Sequence, residues 1–137
     1  MTKNSKKNKI LICDDEPELV ELVQLQLEVV GYDVVTANDG EEALQKAYSE
    51  NPDLVLLDIR MPKIDGREVC HRLHLDSRTK DIPVIFLSAK VRGEEKKDVP
   101  REEADYLVKP FDMKDLLLKI ATILQGRFPR HVASRRS

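Results

Sequence analysis

Five polar residues stand directly behind short apolar runs in this chain. Asp14 and Asp15 follow Ile10-Leu11-Ile12-Cys13, Asp58 follows Leu54-Val55-Leu56-Leu57, Ser88 follows Val84-Ile85-Phe86-Leu87, and Lys109 follows Tyr106-Leu107-Val108. If the runs are strands of one sheet, three carboxylates, a hydroxyl and an ammonium meet in one small crevice. Carboxylates gathered that closely repel each other, and one or more keeps a proton unless something offsets the charge. Hard oxygen donors of this kind suit Mg2+, which prefers octahedral oxygen and retains several waters. A lysine across the crevice lowers the repulsion further and can pair with a bound anion, to which a serine offers a hydroxyl donor. The set fits a metal plus a phosphoryl group. One carboxylate can then act as nucleophile toward a phosphoryl donor and form an acyl phosphate. Cation, lysine and serine would offset and position the charge on the phosphoryl oxygens.

The elements that must position these residues are legible as an alternation. A continuous run such as 10–13 suits a strand covered on both faces of a parallel sheet. Residues 17–30 carry Leu19, Val20, Val23, Leu27 and Val30 at helical spacing, with Pro17 in the first turn and Gly31 at the stop. A short strand is expected at 33–36. Asp39 can cap a helix to about residue 50, with Ala43, Leu44 and Ala47 inward. The third strand is expected at 54–57, a helix at 66–75 on Val69, Cys70 and Leu73, and the fourth strand at 84–87 behind Pro83. Residues 90–104 are poor in apolar side chains and interrupted by Pro100, so a short or distorted fourth helix is expected there. A fifth strand at 106–108 precedes a last helix, capped by Asp112, with Met113, Leu116, Leu117, Ile120 and Leu124 on one face and Gly126 beyond its end. Strands alternating with helices imply an α/β fold, a doubly wound five-stranded parallel sheet built from right-handed crossovers. In such sheets the functional crevice lies outside the carboxyl ends of the strands, where the five polar residues stand. Asp39 and Asp53 lie elsewhere and have capping or loop roles.

Composition bounds the rest. The 137 residues are 41% hydrophobic and 35% charged, which fits one soluble domain with one core and not a disordered chain. No apolar run approaches the roughly 18 residues of a membrane span, and the polar start Met1 to Lys9 is no secretory signal. Cys13 and Cys70 give no disulfide framework and read as buried thiols of a cytoplasmic protein. Absence of Trp and 4% aromatics weigh against a base-stacking nucleic-acid surface. The net charge of −2 hides a partition: Lys3, Lys6, Lys7 and Lys9 precede the first apolar run and Arg127, Arg130, Arg135 and Arg136 follow the last. Those eight aside, residues 10–126 hold 15 basic and 25 acidic residues, a net of −10. The expected organisation is a basic arm over 1–8, one domain over 9–125 and a basic tail over 126–137, the ends solvated.

Four segments, KILICDDEPEL (9–19), PDLVLLDIRMPKIDG (52–66), IPVIFLSAK (82–90) and DYLVKPF (105–111), taken together in this order, resemble the receiver domain of bacterial two-component response regulators. The resemblance covers about residues 8–125. It implies the flavodoxin-like or CheY-like fold, with sheet order 2-1-3-4-5. By position it implies Asp58 as phosphoacceptor and Asp14 and Asp15 as the acid pair that holds Mg2+, one directly and one through water. The third protein ligand would be the backbone carbonyl of Arg60. Ser88 would sense the phosphoryl group, Lys109 would bond one of its oxygens and help catalyse its transfer, and Tyr106 would turn inward as Ser88 moves. Lys109-Pro110 is a candidate cis peptide, and the small Ala89 leaves the phosphoryl group reachable. The partners implied are a histidine kinase or histidine phosphotransfer protein and a downstream protein that binds the face of the fourth helix, fifth strand and fifth helix. Neither a membrane nor nucleic acid binding by this domain is expected. The protein would be a switch that assists its own phosphorylation and dephosphorylation, not an enzyme acting on external substrates.

Plainer roles compete at several positions. Asp15 could cap the first helix, and Tyr106 could be a strand residue with a wet hydroxyl. Cys70, His71 and His74 suggest a metal cluster but share one helix with no second pair, so solvated histidines beside a core cysteine are expected. Lys90 to Lys97 reads as a solvated face. Two features depart from the family pattern: the segment between Ser88 and Lys109 is short and apolar-poor, and Glu103 stands where glycine is usual. A Mg2+-dependent phosphatase using an aspartyl phosphate is a rival. It lacks chain for a substrate-closing cap, and Ile59-Arg60 rather than a second acid follows Asp58. A binding module that works without phosphorylation is a third reading, weakened by the complete acid, serine and lysine set. The tail after Gly126 is too short for a DNA-binding domain.

Overall fold

Each apolar run forms a strand, and the strands assemble in the order that brings their polar ends together. The structure is a computed structural model that describes residues 7–88 and 104–126. Strands β1 (Lys9–Cys13), β2 (Asp33–Ala37), β3 (Leu54–Asp58), β4 (Val84–Ser88) and β5 (Ala104–Val108) make one parallel sheet ordered β2-β1-β3-β4-β5. Helices α1 (Pro17–Val29), α2 (Gly40–Glu50), α3 (Gly66–Leu75) and α4 (Met113–Gln125) flank it. The expected fourth helix over 90–104, with its lysines, Pro100 and Glu103, lies outside the described residues, as do Ala89 and the arginines of the tail. The helix numbered α4 is therefore the expected last one.

The core follows from the period of two along a strand. Leu11, Cys13, Val55, Leu57, Val84 and Phe86 point to one face, where Ala43, Leu44 and Ala47 of α2 and Val69, Cys70 and Leu73 of α3 cover them. Ile10, Ile12, Leu54, Leu56, Ile85 and Leu87 point to the other, under Val20, Val23 and Leu27 of α1 and Leu116, Ile120 and Ile123 of α4. Two covered faces explain why β3 and β4 are apolar almost without a break and wholly buried. Cys13 and Cys70 are both buried thiols, in no disulfide.

Helix ends match the local sequence. Asp39 accepts from the Glu42 amide at 2.9 Å and caps α2. Asp112 caps α4 through the Lys114 amide, and Gly31 takes a left-handed φ of 106° after α1. One strand start differs from expectation by more than a residue. β5 begins at Ala104 rather than 106, because Ala104 and Asp105 pair with Val84 and Ile85 through backbone that needs no apolar side chain. The first helix starts at Pro17 as expected, and its N-cap is Glu16, so the plainer capping role for Asp15 does not apply. Among the described residues no helix is long and apolar enough to cross a membrane.

Candidate functional site

Sheet register carries the polar residues into one row. Cys13 pairs with Leu57, so Asp14 and Asp58 emerge side by side from β1 and β3. Asp58 pairs with Leu87, next to Ser88, and Ser88 pairs with Val108, next to Lys109. The Lys109 amide donates to the Ser88 carbonyl at 2.7 Å, which extends the ladder one step past β5. The Lys109-Pro110 peptide is cis, as expected.

Within this row, carboxylate oxygens of Asp14, Asp15 and Asp58 all lie within 4.8 Å of one another. Asp14 is fully buried, Asp58 is 6% exposed and Asp15 faces solvent. The Lys109 ammonium reaches across the sheet to donate to Asp14 Oδ2 at 2.9 Å and to Glu16 Oε1 at 3.1 Å, and it stands 3.8 Å from Asp58 Oδ2. Asp14 Oδ1 accepts from the Glu16 amide at 3.0 Å. Asp58 Oδ1 accepts from the Arg60 amide at 3.3 Å.

The charges are unbalanced. Burial first, then the neighbouring Asp14 charge, push the Asp58 carboxyl up to about 7, against the opposing pull of Lys109 and the Arg60 amide. Burial also works against the Lys109 charge, but its bond to Asp14, the Asp58 and Asp14 charges and the bond to Glu16 outweigh it and raise its ammonium above the usual range. One lysine thus leaves the three acids under-compensated. Their all-oxygen donor set fits a hard divalent cation such as Mg2+.

The loop after β3 is held closely. Ile59 donates to the Leu87 carbonyl at 3.3 Å and accepts from the Gly66 amide at 2.7 Å. A Cβ on Gly66 would strike the Asp58 carbonyl oxygen and come within 2.9 Å of Ile59 Cα. Asp65 then caps α3 through the Glu68 amide at 3.1 Å. Glycine here lets α3 start against the backbone that carries Asp58.

Of the residues singled out in the sequence, Asp14, Asp15, Asp58 and Lys109 meet directly. Ser88 is 2% exposed at the end of β4, in the same row. Arg60 is exposed and turns its amide toward Asp58. Tyr106 is half-buried on β5, its ring centroid 6.0 Å from that of Phe86. His71 is exposed as expected, but His74 is half-buried with Nδ1 3.6 Å from the Cys70 sulfur, so it is not simply solvated. That contact follows from their spacing of four on one helix. Glu16, the one site residue to which the sequence reading gave no role, was marked only by its place two residues after Asp14.

Comparison with known proteins agrees with this arrangement. The chain is 45% identical over 120 residues to the alkaline phosphatase synthesis transcriptional regulatory protein PhoP of Bacillus subtilis, covering 85% of this chain and 48% of that protein. The chain thus spans about half the length of the curated relatives it matches. A CheY-like response regulator receiver domain protein from Methanospirillum hungatei superposes with a TM-score of 0.84 at 28% identity, covering 91% of this chain and 99% of that one. The response regulator protein TrrA of Thermotoga maritima, solved in complex with Mg2+–BeF, superposes with a TM-score of 0.72 at 37% identity, covering 85% and 98%. Residues 10–121 match the model of the response regulator receiver domain, and the chain belongs to that family.

Proposed function

We propose that this chain is the phosphoacceptor switch of a two-component phosphorelay, phosphorylated on Asp58 by a partner histidine kinase or histidine phosphotransfer protein. The observation that carries this reading is the position of Asp58: 6% exposed, clustered with Asp14 and Asp15, and 3.8 Å from Lys109. Complexation of the relative TrrA with Mg2+–BeF supports it.

Asp14, Asp15, Asp58 and the Arg60 carbonyl would hold Mg2+, which when bound offsets charge on the phosphoryl oxygens and among the carboxylates. An Asp58 carboxylate oxygen attacks the phosphorus of a phosphohistidine. The new O–P bond forms as the P–N bond breaks, and its electron pair returns to the imidazole nitrogen. Lys109 and Ser88 bond the transferred oxygens and fix their orientation. Phosphorylation adds about one negative charge or more, with new acceptor oxygens. Ser88 moves toward them and Tyr106 repacks against Phe86, which biases a two-state equilibrium of the face around β5. That face carries Leu118, 65% exposed on α4, beside Val108, and it offers the downstream partner an apolar contact. Hydrolysis resets the switch: water attacks the phosphorus, the O–P bond to Asp58 breaks, and carboxylate and phosphate are released.

In this reading the receiver occupies residues 9–125 between basic ends at 1–8 and 126–137, works in the cytoplasm, and catalyses no reaction on external substrates. The test is intact mass after incubation with Mg2+ and a small acyl-phosphate donor. Gain of one phosphoryl group by wild type and none by Asp58→Asn is expected. No gain by wild type, while a control receiver reacts, would overturn it. Size-exclusion chromatography with and without beryllofluoride then reads whether the β5 face assembles.

A further inference from the structure

Glu16 stands just before α1, between the acid pair and the helix. It is the N-cap of α1, yet its side chain makes no capping bond. The carboxylate instead accepts from the Lys109 ammonium at 3.1 Å, and its own backbone amide donates to Asp14 Oδ1 at 3.0 Å. Glu16 therefore touches both members of the ion pair that joins β1 to the end of β5. Its side chain is 61% exposed, whereas that of Asp14 is fully buried and that of Lys109 is 18% exposed. The ammonium is drawn to the solvent edge of the crevice by one partner and into it by the other. The mechanism above uses Asp14, Asp15, Asp58 and Lys109 and leaves Glu16 without a role.

We propose that Glu16 is a positioning residue that competes with the phosphoryl group for Lys109 and so sets how readily the switch closes. The inference rests on the phosphoacceptor reading of Asp58. An ammonium has three donors. Here two of them are directed to Asp14 at 2.9 Å and Glu16 at 3.1 Å, while Asp58 stands farther off at 3.8 Å. To bring the third donor onto a phosphoryl oxygen carried on Asp58, the ammonium has to move inward, away from Glu16 at the solvent edge. Once Asp14 is engaged by a divalent cation, Glu16 is the acceptor that still holds the ammonium outward. Because Glu16 is exposed, its hold is weak enough to be broken, so it tunes the equilibrium and does not block it.

Glu16→Gln keeps the shape and removes the charge. With Mg2+ saturating, the full chain carrying this substitution is expected to bind beryllofluoride about 2- to 5-fold more tightly than wild type, the worth of an exposed ion pair. In a Lys109→Met background the same substitution is expected to change nothing. Unchanged or weaker binding, or equal tightening without Lys109, would overturn the proposal. A second readout needs neither metal nor phosphoryl mimic: the 15N-detected Lys109 ammonium signal of the metal-free protein. Glu16→Gln is expected to shift that signal and speed its proton exchange; an unchanged signal would overturn the proposal, and it decides the matter if Lys109→Met binds too weakly to titrate. If wild type itself fails to bind beryllofluoride with Mg2+, the phosphoacceptor reading fails, while the ammonium signal still reports whether Glu16 holds Lys109.

Discussion

Lys109 and Asp14 stand 95 positions apart in sequence and 2.9 Å apart at the site. One follows the edge strand β5 and the other the inner strand β1, with β3 and β4 between them. The lysine side chain spans the mouth of the sheet, and on its way it passes Asp58, the group whose charge most needs a partner.

Asp14 and Asp15 should separate the cost of binding a cation from the cost of folding. Asp15 is exposed, and its charge only adds to the repulsion felt at Asp58. Asp15→Asn is expected to weaken Mg2+ by about tenfold to a hundredfold, the scale of one charge at this range, without lowering the melting temperature of the metal-free protein. Asp14→Asn is expected to weaken Mg2+ and also to lower that melting temperature, because the buried partner of Lys109 loses its charge. Calorimetric titration and thermal unfolding in chelator check both.

The metal-free protein should become less stable as pH rises from about 4 to about 7. Asp58 in the folded chain holds its proton up to about 7, against an ordinary value of 3.8. The folded state therefore binds more protons than the unfolded state in this window, and stability falls with rising pH. Mg2+ favours the ionised carboxylate and should flatten the dependence. Denaturant unfolding at pH 5 and 8, with Mg2+ and with chelator, measures it. Equal stability at both pH values in chelator would contradict the charge imbalance described here.

Much of this arrangement is legible in the sequence because it rests on strand ends. Apolar runs at 10–13, 54–57 and 84–87 give the inner strands, and the residue after each gives an acid or a hydroxyl. The neighbour relations that unite Asp14 with Asp58 and Lys109 are long-range pairings, which no local pattern encodes. They are implied only by the family resemblance that the four motifs carry together. Local pattern also misplaced the start of β5, since Ala104 and Asp105 pair through backbone alone. Glu16 was missed for a similar reason: an acid at a helix start has a ready explanation in the helix dipole, and only the tertiary position of Lys109 gives it another.

Gly66→Ala should disturb the site from outside it. The added methyl meets the Asp58 carbonyl and Ile59 Cα, both backbone atoms that cannot rotate away. A loss of about 1–3 kcal/mol of stability is expected, as for an overpacked core, together with slower phosphoryl uptake. Chemical denaturation and the rate of mass gain test the two effects.

The layer of α1 and α4 can be tested on leucines of opposite environment. Leu56→Ala, fully buried between α1, α4 and the sheet, is expected to cost about 2–5 kcal/mol. Leu25→Ala, 58% exposed on α1, is expected to stay within about 0.5 kcal/mol of wild type. Equal losses would contradict the orientation of α1.

The central claim is that Asp58, among 25 acidic residues, receives the phosphoryl group. Borohydride cleaves an aspartyl phosphate and leaves homoserine in its place, so reduction after phosphorylation followed by peptide mass mapping identifies the acceptor. Homoserine at position 58 alone is the predicted result; modification at another acid, or none in protein that has gained a phosphoryl group, would contradict the account.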